Sequence, residues 1–400
     1  MGGRRLAGMA VFSMCVLVAS VAQVPDPASA GTPTARATRT SFYAPPPGSV
    51  AGPHGTVIRA RRISGPAAFP DSTTWLVLYR SRTSAGTPAV SSGTVTVPDG
   101  DAPEGGWPLI SWAHGTTGVA DACAPSRYGP GYGSEAYVSV YRATLAKWVA
   151  AGYAVAQTDY IGLGTPGPHA YADGVAEAHA VADIAAASRT VAPSIGRRWV
   201  AMGHSQGGQA AIFASALGQA WDPQMRLLGA AALAPGSNWV TDVGLLRSLP
   251  VTNPGVAFLP LLLRGVQAVS SFDPDTVLTD RAEALLDDVD KGCLAQLQEK
   301  TSWGGIRGNA VFRSGADLSQ LNRVLKADDP GTTSPKVPIF MAQGLLDQTS
   351  LAPFTEVLAL ELRAKRVRLD YQRYPTADHR GVIAASYPAA QRWVAALFAS

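Results

Sequence analysis

The sequence predicts an α/β protein in which a mostly parallel sheet is flanked by helices and interrupted by a helical insertion. Three observations predict it. From Pro108 onward, short apolar runs alternate with helix-permissive stretches, the pattern of parallel strands joined by crossover helices. Before that point, β-branched runs at residues 56–63, 74–80 and 89–97, separated by Gly, Pro and Ser turns, read as an antiparallel meander at a sheet edge. Residues 200–208 read V-A-M-G-H-S-Q-G-G, where a strand-length apolar run passes through G-x-S-x-G into the alanine-rich 209–217.

In chain order, residues 109–113 predict a buried strand, 137–151 a helix, 154–158 a strand and 174–191 an alanine-rich helix. The strand at 199–202, its helix and a strand at 228–234 follow. The alternation then stops. Residues 256–269, 279–290, 293–300 and 318–327 are helix-like, with no strand of the right kind between them. This predicts a mostly helical cap over residues 236–335, inserted into a core of residues 55–235 and 336–400. The sheet resumes at 337–343 and 367–374, and a helix at 387–398 closes the chain.

The 400 residues, 46% hydrophobic and 16% charged, suffice for one large globular domain with an insertion. Residues 1–30 read as a secretory signal peptide: Arg4 and Arg5, an apolar run over 6–22, and an A-x-A site ending at Ala30. Residues 31–54, rich in Thr, Pro, Ala and Gly, read as an extended lead-in. Losing Arg4, Arg5 and Asp26 from a formal charge of +4 leaves +3, with no basic stripe to suggest a nucleic-acid partner. Cys15 leaves with the signal peptide, so Cys123 and Cys293 remain as an even pair in an exported chain, and a single disulfide is expected. Two isolated cysteines without C-x-x-C or H-E-x-x-H spacing argue against zinc, and no metal or organic cofactor is implied.

Strand, G-x-S-x-G, helix is the context of a nucleophile elbow, a turn so sharp that Ser205 stands above the sheet with its hydroxyl exposed. A serine hydroxyl becomes a nucleophile when an imidazole takes its proton and a carboxylate orients that imidazole. In this architecture the acid and then the histidine follow the serine in the chain. Of six histidines only His379 follows Ser205, on the loop leaving the last strand, which nominates it as the base. Asp347, on the loop leaving the preceding parallel strand, is the expected acid; Asp378 is its rival, although adjacency to His379 would point it away from the ring. The oxyanion of acyl transfer needs backbone N–H donors. Gln206, next after the serine, is one. The loop His114-Gly115-Thr116 after the strand 109–113 supplies the other, with Thr116 favoured and Gly115 the alternative. His114 is then structural.

Gly162-Leu163-Gly164-Thr165-Pro166-Gly167 matches G-x-G-x-x-G, yet Pro166 and Pro168 prevent the immediate helix start that a dinucleotide site needs. It is expected to be a loop rimming the active site.

Together, His114-Gly115-Thr116, Cys123-Ala124-Pro125-Ser126, Asp159-Tyr160-Ile161-Gly162-Leu163-Gly164 and Gly203-His204-Ser205-Gln206-Gly207-Gly208 resemble the secretory lipase family, α/β-hydrolases of bacteria and fungi that include the yeast lipase A type. The lead-in Phe42-Tyr43-Ala44-Pro45-Pro46 fits too. The resemblance implies an α/β-hydrolase core with a helical cap, a triad of Ser205, Asp347 and His379, and a disulfide from Cys123 to the cap cysteine Cys293. Some fungal members carry further cysteines in the C-terminal part, and this chain has none there.

The expected activity is that of a secreted carboxylic-ester hydrolase, a lipase or esterase taking acyl esters such as acylglycerols, with no stable membrane insertion. The apolar cap segment 259–269 either lines an acyl tunnel or forms the core of the cap. A non-lipid serine esterase or peptidase on the same fold, and a non-catalytic binding protein on a hydrolase scaffold, are the alternatives.

Overall fold

A computed structural model describes residues 41–400. The signal peptide expected over residues 1–30, Cys15 and the start of the lead-in lie outside them. Nine strands form one sheet in the order β1-β2-β3-β5-β4-β6-β7-β8-β9. The edge is the predicted meander: β1 (Val57–Ile63), β2 (Ser72–Arg82) and β3 (Pro88–Pro98), with β3 pairing antiparallel to β5 (Ala154–Ile161). From there every pair is parallel, through β4 (Trp107–Ala113), β6 (Ile195–His204), β7 (Arg226–Leu233), β8 (Ile339–Gly344) and β9 (Leu369–Tyr374). All eight residues of β5 are buried. It is covered on both faces because helices pack on both sides of the sheet, and its polar Gln157, Thr158 and Asp159 are buried with it.

Those helices are α1 (Glu135–Ala150), α2 (Gly174–Val191) and α3 (Gln206–Trp221), with α10 (Ala352–Ala364) and α11 (Gly381–Ala399) after the insertion. The alanines of α2 and α3 pack with Val95, Leu109 and Met341 on one face. Trp148 of α1 and Val394 of α11 pack with Ile110, Val155 and Phe340 on the other. The sequence reading names no helix between the last two strands, but a parallel pair needs a crossover. Pro353 in the first turn and apolar Leu358 and Leu362 one turn apart make it α10. The final helix starts at Gly381, six residues before the predicted point, and carries Pro388 inside it.

Between β7 and β8 run six short helices: α4 (Trp239–Leu246), α5 (Phe258–Val269), α6 (Asp280–Glu283), α7 (Leu286–Lys291), α8 (Leu294–Leu297) and α9 (Ser319–Ala327). No sequence signal marks α4, and the stretches expected as two helices at 279–290 and 293–300 are broken into α6, α7 and α8. These helices surround an apolar cluster of their own, which includes Leu261, Leu262, Trp303 and Leu321. Among the described residues no helix is long and apolar enough to cross a membrane.

Cys123, in the segment after β4, and Cys293, just before α8, form a disulfide. Leu294 N–H donates to Thr117 O at 2.8 Å beside it, so the bridge and a backbone hydrogen bond fasten the insertion to the segment after β4. The bridge spans 170 residues. Chain-entropy arguments give a loop of that length a stabilisation of about 5 kcal/mol. Replacing both cysteines by alanine should lower Tm by roughly 7 °C, measured by calorimetry of the unreduced protein against the double variant.

Candidate active site

The elbow turns as tightly as its sequence demands. Ser205 adopts φ 59° and ψ −119°, a strained conformation for a residue with a Cβ. A Cβ at Gly203 would lie 2.1 Å from the carbonyl oxygen of Gly207, and one at Gly207 would lie 1.9 Å from that of Ala113. Both positions must be glycine for β4, β6 and α3 to meet this closely.

Ser205 and His379 border one cavity of about 530 Å³, together with Thr116, Tyr137, Phe258, Leu294 and Arg380. His379 Nδ1 lies 2.7 Å from Asp347 Oδ2, and the carboxylate is fully buried. Asp347 cannot donate when ionised, so the ring donates from Nδ1 and leaves Nε2 as the free base. The carboxylate is held in turn: its Oδ1 accepts from Thr349 N–H at 2.8 Å and Ser350 N–H at 2.9 Å. Gln343 Nε2 donates to its Oδ2 at 3.2 Å. Asp378, the rival acid, is exposed and its Oδ1 accepts from Gly381 N–H at 2.7 Å at the start of α11. Ser205 Oγ makes no hydrogen bond to a described residue and faces the cavity that His379 also borders.

The two candidates for the second oxyanion donor are distinguished by their partners. Gly115 N–H already donates to Tyr137 Oη at 2.7 Å. The N–H groups of Thr116 and Gln206 have no acceptor among the described residues. Of the two, Gly115 N–H is therefore engaged and Thr116 N–H is free to take an acceptor.

Sequence reasoning assigned His204 no role, yet it ties the site together. It is fully buried, and burial holds its pKa well below the ordinary histidine value. The neutral ring donates from Nε2 to the carbonyl of His379 at 2.7 Å and accepts at Nδ1 from Tyr137 Oη–H at 2.9 Å. One line of hydrogen bonds thus runs from Gly115 through Tyr137 and His204 to the backbone of His379. His114 is also buried and neutral: its Nδ1 donates to Gly115 O at 2.7 Å, and burial lowers its pKa to about 4. Behind the elbow, Gln206 Nε2 donates to Glu177 Oε1 at 2.7 Å, and burial raises the Glu177 pKa well above the usual carboxylate range.

The Gly162–Gly167 loop does not rim this cavity. Its Pro166 and Gly167 border a separate space of about 450 Å³, with Pro45, Thr83 and Val269. The N-terminus of α2 that follows is occupied by carboxylates, because Asp173 accepts from Ala176 N–H and Asp328 from Gly174 N–H. Two of its first N–H groups are thus already taken by carboxylates. Of the two roles expected for the apolar cap segment 259–269, the structure shows the core of the insertion. Leu259, Leu261, Leu262, Leu263 and Val266 are buried in the insertion's own cluster, and none borders the space at Ser205; from α5 only Phe258 does. Among the described residues no group of three or more His, Cys, Asp or Glu could hold a metal ion.

A nine-stranded, mostly parallel sheet with a serine at a strand–helix elbow is the α/β-hydrolase architecture. The family model of the secretory lipases matches residues 136–400, and the chain belongs to that family. It is therefore a lipase or esterase, a hydrolase of carboxylic esters. The fold is similar to that of Candida antarctica lipase A, with a TM-score of 0.68 and 18% identity over 82% of this chain and 78% of that one. It is also similar to the rice cell wall degrading esterase LipA of Xanthomonas oryzae, with a TM-score of 0.67 and 16% identity over 86% and 97%. No curated protein sequence matches the chain.

Two outcomes follow from the buried polar groups. Tyr137→Phe strands Gly115 N–H and His204 Nδ1, and should lower the unfolding free energy by roughly 1–3 kcal/mol in urea titrations. Asp328, near Asp173, has its pKa raised from 3.8 to about 7 by burial and by that charge. The folded state holds this proton up to about pH 7 and the unfolded chain releases it near pH 4, so stability falls through this group as pH rises between the two. Asp328→Asn keeps the acceptor for Gly174 N–H and removes the charge. Its Tm relative to wild type should climb from pH 4 to pH 8, as differential scanning fluorimetry across that range would record.

Proposed function

We propose that the chain is an exported serine ester hydrolase that cleaves acyl esters, acylglycerols among them, through an acyl-enzyme on Ser205. The observation that carries this reading is the 2.7 Å contact of His379 Nδ1 with buried Asp347, beside Ser205 in one cavity. His379 Nε2 takes the serine proton as the hydroxyl attacks the ester carbonyl. The N–H groups of Thr116 and Gln206 receive the negative charge that develops on the carbonyl oxygen. His379 returns the proton to the leaving alcohol, and water, deprotonated by the same ring, releases the acid. Asp347 fixes the tautomer and stabilises the imidazolium.

In this reading residues 1–30 are a signal peptide cleaved near Ala30, residues 55–235 with 336–400 are the catalytic core, and 236–335 are its cap. The Cys123–Cys293 bridge supports an oxidising, extracellular destination. The leader also supports it.

Ser205→Ala should reduce kcat on p-nitrophenyl butyrate by on the order of 10⁴-fold or more, and Asp347→Asn by roughly 10⁴-fold. A fluorophosphonate probe should label the wild type at Ser205 and leave Ser205→Ala unlabelled. Labelling at another serine, or undiminished hydrolysis in Ser205→Ala, would remove Ser205 from the reaction.

A further inference from the structure

The space around Ser205 has two unequal parts. Besides the 530 Å³ cavity that holds His379, a crevice of about 30 Å³ touches Ser205 and is lined by Tyr171, Pro235, Gly236, Trp239, Phe258 and Phe354. Proton delivery decides what each part receives. The leaving oxygen must be within reach of His379 Nε2, so the alcohol lies in the larger cavity. With the carbonyl oxygen turned to the N–H groups of Thr116 and Gln206, the crevice is the space left for the acyl substituent.

The walls of the crevice are held in place. Gly236 N–H donates to Ser205 O at 3.0 Å, which presses the segment after β7 onto the elbow. Trp239 packs against that segment: a Cβ at Gly236 would lie 2.5 Å from its Cη2. Asn238 takes the left-handed conformation, φ 56°, that folds Trp239 back over the crevice, and its Nδ2 donates to Phe354 O at 3.0 Å. The start of α4 is thereby tied to the start of α10, one wall to the other. Farther along α4, Asp242 also borders the crevice, and an alkyl chain reaching it would strip a carboxyl of water and offer no donor in return.

We propose that the acyl side of the site is closed by Trp239, and that the enzyme takes short acyl groups, about two to four carbons, on alcohols that can be much larger. This rests on the ester-hydrolase reading given above. A space of about 30 Å³ holds roughly two water-sized groups, and each further methylene must push apart walls that are hydrogen-bonded to one another. Trp239 is then the residue that sets acyl length.

The test is kcat/KM for p-nitrophenyl esters from acetate to decanoate, which hold the leaving group constant, on wild type, Trp239→Ala, Trp239→Leu and Ser205→Ala. The expected wild-type profile peaks between acetate and butyrate and falls at least tenfold by octanoate. Trp239→Ala should raise the octanoate-to-acetate ratio at least tenfold, and Trp239→Leu should raise it by less. If the alanine variant does not fold, the leucine variant and the wild-type profile carry the same test. A wild-type rate that holds level or rises to octanoate, or a ratio unmoved in the folded variants, overturns the short-acyl assignment and leaves Ser205-dependent hydrolysis standing. Turnover undiminished in Ser205→Ala overturns both.

Discussion

The site depends on one close approach: the carbonyl of Ala113, at the end of β4, lies where a Cβ of residue 207 would be. Strands β4 and β6 are neighbours in the sheet and end together, so the loop after β4 and the turn after β6 must share the same few ångströms. Glycine at 203 and 207 permits that, and Ser205 takes up the strain in its backbone. Everything catalytic in the proposed scheme follows from this crowding. The serine is lifted above the sheet, the loop 114–116 borders the same cavity, and the N–H groups of Thr116 and Gln206 have no acceptor among the described residues.

Crowding alone would not hold a loop in register, and buried neutral hydrogen bonds supply that. Burial makes a charged His204 costly, so the ring carries one proton and has one donor and one acceptor. The donor goes to the His379 carbonyl and the acceptor to Tyr137, whose oxygen takes the Gly115 N–H. Each link has a defined direction because each group has a single remaining role. The backbone of His379 and the loop before Thr116 are therefore positioned relative to each other through three side-chain contacts, without any charge. Asp347, held by two backbone N–H groups and Gln343, orients the ring of the same histidine from the opposite side.

Much of this was legible in the sequence, for identifiable reasons. The alternation of strands and helices after Pro108 is a local signal, and the residues that meet at the cavity follow from motif and chain order. The sequence favoured Thr116 over Gly115 by motif alone; that Gly115 N–H is engaged rests on where Tyr137 points its hydroxyl, a contact across 22 residues. His204 was hidden by its position inside a motif that draws attention to its neighbour. The cap was read in outline only: its helices are short, 4 to 12 residues, and broken by turns that tertiary packing sets. An apolar run such as α5 has the same composition whether it lines a tunnel or fills a core. Only its neighbours, Leu321 and Trp303 among them, show that it fills a core.

The fastening of the cap explains why the two parts of the site differ. Phe258, Leu294 and Gln298 bring cap side chains to the cavity at His379. Leu294 is anchored there by its hydrogen bond to Thr117 and by the disulfide of its neighbour Cys293. That wall is fixed to the same loop that carries Thr116, at a distance that leaves open space over the histidine. On the other flank the chain leaves β7 directly over the elbow, with no spacer: Pro235 and Gly236 lie on Ser205, and Trp239 lies on them. A cap joined to the core by a tight turn on one side and a disulfide on the other is narrow at the turn and wide at the bridge. The geometry of its two attachments, more than the apolarity of its helices, sets the shape of what can be bound.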